Sequence, residues 1–467
     1  TLFRAMNRSQ HDLLRYMEST LYMRLPEGVE IPTISVSPTA LSHGFLLSAR
    51  IRWKQWWGVN NLTAYITMNN TWFARIRQAI HLSTSGTDLI RLWHTGMKRH
   101  IKDGRWCVLG SATHSADYTL ALRRQLEALV GPQDANVLIA NLSQGQAALE
   151  SLGPLLGLAK LARGELSRAD YLTAYGHRGP DEFELSIPRP AEDPTWLEHI
   201  LRQFTTSPLD LEAMLSEQQQ AFTAALSRLQ VQAPGSARRL RLQIAESARR
   251  ARLRELARSA YTRDRWAIRL FALRAAELTG LGDQVFFLTL PELLALLSGD
   301  RSIVSRIESR QAAYRQYKTL PPPPAIIRGP FDPFVWAADP IRPTDIYITR
   351  QGALAQPASA RIEGSPGSAG VVEGFVRVIA HPEHGDQLQP GEILVASQTD
   401  IAWTLLFPRA AAVITDIGAP LSHAAIVARE LGIPAVVGCG NATARLHTGD
   451  RVRVDGGQGI VEILARG

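Results

Sequence analysis

Apolar residues recur at three- and four-residue spacing through stretches such as 147–162 and 240–278, so residues 110–318 read mainly as amphipathic helices. The run Pro321-Pro322-Pro323-Pro324, followed by Gly329-Pro330 and Asp332-Pro333, cannot continue a helix and favours extended polyproline geometry. It predicts a semi-rigid linker. After about Ala360 the pattern changes to short β-rich runs at 371–380, 392–396, 411–415, 434–437, 451–454 and 459–463, punctuated by Gly and Pro. One helix-like segment, 422–431, interrupts them. The expected architecture is multidomain: a mainly α-helical unit over 1–320, a Pro-rich linker and hinge over 321–360, and an α/β unit over 361–467. No internal repeat of solenoid period is visible.

Composition narrows the class. A chain of 467 residues holds two or three domains at ~100–200 residues each. With 45% hydrophobic and 20% charged residues it belongs with folded globular chains rather than disordered ones. It has neither an apolar run of ~18 residues nor a basic-then-apolar start, so no transmembrane span or signal peptide is expected. Cys107 and Cys439 are too few and too far apart for a disulfide framework or a zinc cluster, and point to a reducing cytoplasm. The chain opens at Thr1 rather than Met, as a fragment or a processed chain would.

The net charge of +8 is concentrated in Arg238, Arg239, Arg241, Arg249, Arg250, Arg252, Arg254 and Arg258. No nucleic-acid-binding module accompanies this stripe, so no nucleic-acid partner is expected. A solvated helix face interleaved with Glu246 and Glu255 is the default reading, and steering of an anionic phosphate donor is the alternative.

The segment that carries chemistry runs from Thr415 to Gly438, TDIGAPLSHAAIVARELGIPAVVG. A strand ends in a Gly/Pro loop containing Gly418, and the loop feeds a helix for which Ser422 is a natural N-cap. His423 then falls in the first turn, where unpaired N–H groups and the positive dipole end suit a phosphate attached to the imidazole. The small Ala424 and Ala425 leave room for that phosphate to approach the backbone. Imidazole is a competent nucleophile near neutral pH, and its phosphoramidate remains an energetic donor.

This segment resembles the phosphohistidine signature of the phosphoenolpyruvate-utilising enzymes, which include phosphoenolpyruvate synthase, pyruvate phosphate dikinase and rifampin phosphotransferase. Two further landmarks occur in order. Gly364-Ser365-Pro366-Gly367-Ser368-Ala369-Gly370 is similar to the loop that opens the swivelling domain, and Asp400-Ile401-Ala402-Trp403-Thr404 is similar to a Thr-Asp-Pro-Ala-Trp segment, with Ile401 in place of Pro. In the helical region, 175–185 and 283–289 resemble segments of rifampin-phosphotransferase-like proteins, whereas the first 110 residues match no recognised pattern.

The resemblance implies a swivelling carrier whose catalytic residue is His423, with Ser422, Gly418 and Ala424 stabilising the phosphate. It implies ATP and Mg²⁺ on an ATP-grasp domain or subunit, of which no nucleotide loop is visible here. It further implies a small-molecule hydroxyl acceptor on the helical unit. The order helical unit, then carrier, ending at Gly467, suits rifampin phosphotransferase better than relatives whose carrier precedes a barrel. A homologue repurposed in natural-product biosynthesis and a non-catalytic phosphocarrier subunit remain as alternatives.

Candidate acceptor-site residues are His177 and Arg178, a base and a cation beside Asp181 and Glu182 in one loop, whose plainer role is to pin helices through ion pairs. Arg265 and Arg269, four apart on one helix face, could bracket a transferred phosphate or simply face solvent. Trp53, Trp56 and Trp57, with Trp72 and Trp93, could line a pocket for a bulky aromatic acceptor or form ordinary core. His381 and His384 lack partners at ligand spacing, so no metal site is expected. A carrier that must reach two separated centres needs a tether, and protease cleavage is expected between residues 340 and 360.

Overall fold

This computed structural model describes residues 38–140, 152–205, 211–321 and 360–467, together with 323–324, 326–339, 342 and 346–348. The helical unit is built on α1 (Pro38–Leu82), α2 (Lys98–Leu138), the short α3 (Arg168–Tyr175), α4 (Leu211–Gln232) and α5 (Ala237–Thr279). Trp72, Phe73, Ile76 and Ile80 bring one stripe of α1 onto Trp266, Phe271 and Ala275 of α5, which explains why the tryptophan-rich stretch is helical. Trp72 and Trp93 are therefore core residues. Near its end α2 kinks at Gly131, φ 79°, immediately before Pro132.

A polar knot lies inside the three-helix seam. Tyr65 donates to Asp264 Oδ2 at 2.7 Å and Asn69 donates to Oδ1 at 2.8 Å. His100 approaches the same carboxylate at 3.3 Å and stacks on Trp72 with ring centroids 3.8 Å apart. Burial, then the charge of Asp264, pushes the Tyr65 phenol far above its ordinary range. Gly104 makes room for the knot, since a Cβ there would stand 2.6 Å from Tyr65 Oη and 2.7 Å from Asp264 Oδ2.

The segment expected to be only linker contains ordered structure. β1 (Ile326–Arg328) pairs in parallel with β2 (Ile346–Ile348), and α6 (Pro333–Ala338) lies between them in sequence. Asp332-Pro333, expected in an extended linker, is the N-cap and first position of α6: Asp332 accepts from Phe334 and Val335 N–H at 2.9 and 3.2 Å. Trp336 is buried, and the Phe334 ring meets Tyr317 at 5.5 Å, so aromatic contacts hold this piece to the end of the helical unit. Residues 349–359, where the hinge and most of the cleavage region were expected, lie outside the described residues.

The C-terminal unit is an eight-stranded mixed sheet in the order β3-β10-β9-β5-β6-β7-β8-β4. Its strands are β3 (Arg361–Glu363), β4 (Ser365–Ser368), β5 (Val371–Val378), β6 (Ile393–Ala396), β7 (Ala412–Thr415), β8 (Ala435–Val437), β9 (Arg451–Asp455) and β10 (Ile460–Ala465). The parallel run β5-β6-β7-β8 is fully buried along β6, β7 and β8, as their unbroken apolar sequences require. The expected opening loop is instead an edge strand, β4, paired antiparallel with β8. Its Gly and Pro content hid it: Pro366 is tolerated on an edge, and a Cβ on Gly364 would lie 2.8 Å from Cys439 and Val436.

The two units share one apolar core. Leu122, Leu126, Phe222, Leu229 and Ile244 of the helices meet Trp403, Leu406, Phe407, Val427 and Leu431 of the sheet unit. Arg429, on α7 (His423–Leu431), donates to Asn136 Oδ1 at 3.0 Å across this junction and to Pro420 O at 2.8 Å. Burial, and then Arg123, pushes its pKa down to about 9.

Gly104→Ala is expected to cost about 1–3 kcal/mol by overpacking the knot. Calorimetry should show a lower Tm, whereas Gly235→Ala, whose added Cβ meets nothing within 4 Å, should show no loss.

Candidate active site at His423

Helix α7 starts at His423 because Ser422 caps it, extended at φ −69° and ψ 165°, with Oγ accepting from Ala425 N–H at 3.4 Å. The imidazole is partly buried between two threonines of the same unit: Thr399 Oγ1 lies 3.2 Å from Nδ1 and Thr404 Oγ1 3.2 Å from Nε2. The Phe407 ring closes the site edge-on at 6.1 Å. Gly418 is required by packing, since a Cβ would meet Thr415 Oγ1 and Val437 Cβ at 3.0 Å. The Ala424 side chain faces the shared core, so only its backbone is placed to serve a phosphate.

The helical unit supplies charge. Arg178 pairs with Glu182 inside the protein, and Arg258 reaches the same carboxylate at 3.5 Å. Arg254 donates to Glu255 at 2.9 Å. Burial pushes Glu255 up, but Arg254, Arg258 and Arg178 outweigh it and hold the carboxyl at about 2. Asp400 bridges the units by accepting from Asp181 N–H at 3.0 Å, and also caps its own turn through Ala402 N–H at 3.0 Å. Burial raises the Asp400 pKa against these two bonds. Asp181 adopts φ 48°, a left-handed conformation that its docking contact and neighbouring loop maintain.

These charges decide the state of the histidine. Burial first, and then Arg258 and Arg178, push the His423 pKa down to about 3 against the opposing pull of Glu255. At neutral pH the imidazole is an uncharged nucleophile beside a cluster of guanidinium groups. The Nε of Arg258 is buried and has no hydrogen-bond partner among the described residues, which leaves a donor for an incoming oxyanion.

The other candidates fall elsewhere. His177 is buried one residue from the cluster and meets Ser259 Oγ at 2.8 Å. Burial, then Arg263, Arg178 and Arg189, keeps it well below the ordinary histidine range. Arg269 is not a solvated cation: it pins the 185–192 loop through Glu192 at 2.7 Å and Leu185 O at 2.7 Å. Arg265 lies over the Tyr261 ring, 4.6 Å from its centroid. At ~1.5 Å per residue, Arg269 stands roughly 16 Å beyond Arg258 along α5, too far to bracket the same phosphate. Trp53 and Trp56 project outward, 53% and 64% exposed, while Trp57 packs against the Leu62–Tyr65–Cys107 cluster.

Sequence reading named Glu182 beside Arg178 but did not join that loop to Arg254, Glu255 and Arg258, although the i, i+4 spacing of Arg254 and Arg258 was a usable signal. It also passed over the hydroxyls of Thr399 and Thr404.

Comparison with known proteins follows the same division. Residues 388–459 match the family model "PEP-utilising enzyme, mobile domain". The C-terminal unit carries this match over most of its length. Residues 109–255 match the model "Rifampicin phosphotransferase fourth domain", which covers most of α2 through the first part of α5. The prodigiosin synthesizing transferase PigC of Serratia marcescens is 33% identical over 311 residues, 64% of this chain and 33% of that protein. A rifampicin phosphotransferase of Streptomyces sviceus is 32% identical over 326 residues, 66% of this chain and 36% of that protein. The uncharacterized phosphotransferase YvkC of Bacillus subtilis is 34% identical over 204 residues, 42% of this chain and 24% of that protein. The chain thus spans about a third or less of the length of these relatives.

Among the described residues no group of three or more His, Cys, Asp or Glu is placed to hold a metal ion. Among the same residues no helix is long and apolar enough to cross a membrane.

The depressed His423 pKa predicts a pH-dependent docking equilibrium. An exposed imidazole titrates near ~6.5 and the docked one near 3, so docking is fully favoured above about pH 6.5 and weakens as pH falls towards 3. The loss is on the order of 1 kcal/mol between pH 6.5 and 5.5. Glu255 stays ionised there, and the raised Asp400 works in the opposite sense at the acid end. Distances between spin labels on α4 and the mobile domain should lengthen on acidification in wild type and stay constant in His423→Gln. Identical profiles for the two would show that His423 does not govern docking.

Proposed function

We propose that this chain is the acceptor-binding and carrier portion of a phosphotransferase in which phosphorylated His423 delivers its phosphoryl group to a hydroxyl of a small organic molecule. The observation that carries the reading is the neutral imidazole at a capped helix start, within the field of Arg178 and Arg258. The likeness to rifampicin phosphotransferases over both units supports it. In the transfer step the acceptor oxygen attacks phosphorus and the P–N bond to His423 breaks, returning its electron pair to the ring. The arginines hold the non-bridging oxygens as charge shifts, with Arg258 Nε as a waiting donor. The hydroxyl proton passes to the ring nitrogen that the phosphoryl group leaves, which restores the neutral imidazole. The phosphoryl group comes from ATP with Mg²⁺ at an ATP-grasp domain or subunit, which the mobile domain reaches by swinging away from the cluster.

A second reading is favoured by the likeness to the prodigiosin synthesizing transferase: the same centre would activate an intermediate for condensation in natural-product assembly. The two readings part on the product, which retains phosphate in the first and loses it in the second.

Incubated with Mg·ATP and an ATP-grasp partner, the wild-type chain should gain one acid-labile, base-stable phosphoryl group by intact mass, and His423→Ala should gain none. A label that resists acid, or that survives His423→Ala, would sink the assignment. Arg258→Gln should still be labelled but should discharge to acceptor roughly 10²-fold more slowly. Equal discharge rates would remove Arg258 from the transfer step.

A further inference from the structure

A cavity of about 1010 Å³ opens between α1, α3 and α5, at the upper end of the size range of small-molecule sites. His177 lines it, while the neighbouring Arg178 turns to Glu182 and the carrier histidine. The cavity is therefore not the space around His423, although it shares a wall with that centre through the His177–Ser259 contact at 2.8 Å.

Its chemistry is uneven in a useful way. The aromatic wall is formed by Phe73 and Trp266, with ring centroids 4.9 Å apart, and Trp266 is held in place by its Nε1–H donating to Glu192 at 2.8 Å. Leu270 and Leu273 extend the apolar surface. Against this, the described lining residues include three arginines, Arg77, Arg263 and Arg274, and one carboxylate, Glu277. That carboxylate is engaged by Arg274, which also donates to Ser83 O at 2.9 and 2.8 Å. Arg77 and Arg263 add two further cations to the lining. Arg77 is exposed and lies over the Trp266 indole, 5.6 Å from the ring centroid, so a cationic fork and an aromatic surface face the same opening.

An inorganic anion would leave the apolar wall unused, and a neutral aromatic molecule would leave the arginines unused. We propose that this cavity binds a planar aromatic acid, its ring against Phe73 and Trp266 and its carboxylate on Arg77. Binding here does not depend on whether His423 transfers phosphate, so the two readings fail separately.

The test uses 2-naphthoate as probe and 2-naphthamide, its neutral near-isostere, in calorimetric titrations of the full chain. Naphthoate should bind at one site, and naphthamide about tenfold or more weakly, the worth of one charge-assisted hydrogen bond. Arg77→Gln should weaken naphthoate by a similar factor without affecting naphthamide. Thr173→Trp, an exposed lining position where a large ring would fill the mouth, should abolish both. His423→Ala should bind naphthoate as wild type does. No binding at millimolar naphthoate, equal binding of acid and amide, binding that survives Thr173→Trp, or loss in His423→Ala would each overturn the proposal. Circular dichroism and Tm of each variant confirm that a loss is local.

Discussion

His423 gives up its proton to burial, and Arg258 and Arg178 reinforce the loss from across the junction. An imidazole in water is half protonated near pH ~6.5 and spends much of its time as a poor nucleophile. Enclosure between the two units removes that limitation while surrounding the ring with guanidinium groups that a phosphate would need. The same arginines would repel a protonated imidazole and attract a phosphorylated one. Docking, charge state and phosphate affinity are thus one linked problem, solved by placing carboxylates Glu182, Glu255 and Asp400 among the cations so that the cluster can be buried.

The scaffold serves this junction. Helix α5 packs on α1 through aromatic residues near its C-terminal end and presents Arg254, Glu255 and Arg258 nearer its middle. Helices α2 and α4 provide the apolar bed for α7, where Gly432 ends the helix at φ 71° so close to Gln218 that a Cβ would overlap its side-chain amide. The polar pins Asn136–Arg429 and Asp181–Asp400 fix the register in which the two units meet over their shared core.

Much of the fold was legible from local pattern. The β6, β7 and β8 runs, the helix at 423–431 and the long helix through 240–278 follow directly from apolar periodicity. The elements that escaped were those whose residues speak against their state: β4, made of Ser, Pro and Gly, exists because β8 offers an edge, and α6 begins at a dipeptide that also makes turns. Arg254 and Arg258 looked like any other members of a basic stripe, and Arg269 looked like a candidate for phosphate, because charge alone does not say which side of a helix is covered.

The amino-acid sequence by itself determined a helical unit followed by an α/β unit and the capped helix start that holds His423, because each is encoded in contiguous residues: a period, a cap, a motif. Only the tertiary structure decided which cations face that histidine, that His177 is enclosed beside the cluster, and that Trp53 and Trp56 are exposed. The physical reason is that electrostatics and burial depend on distance in space. Arg178, Arg258 and His423, far apart along the chain, act on one another only after three separate segments have packed.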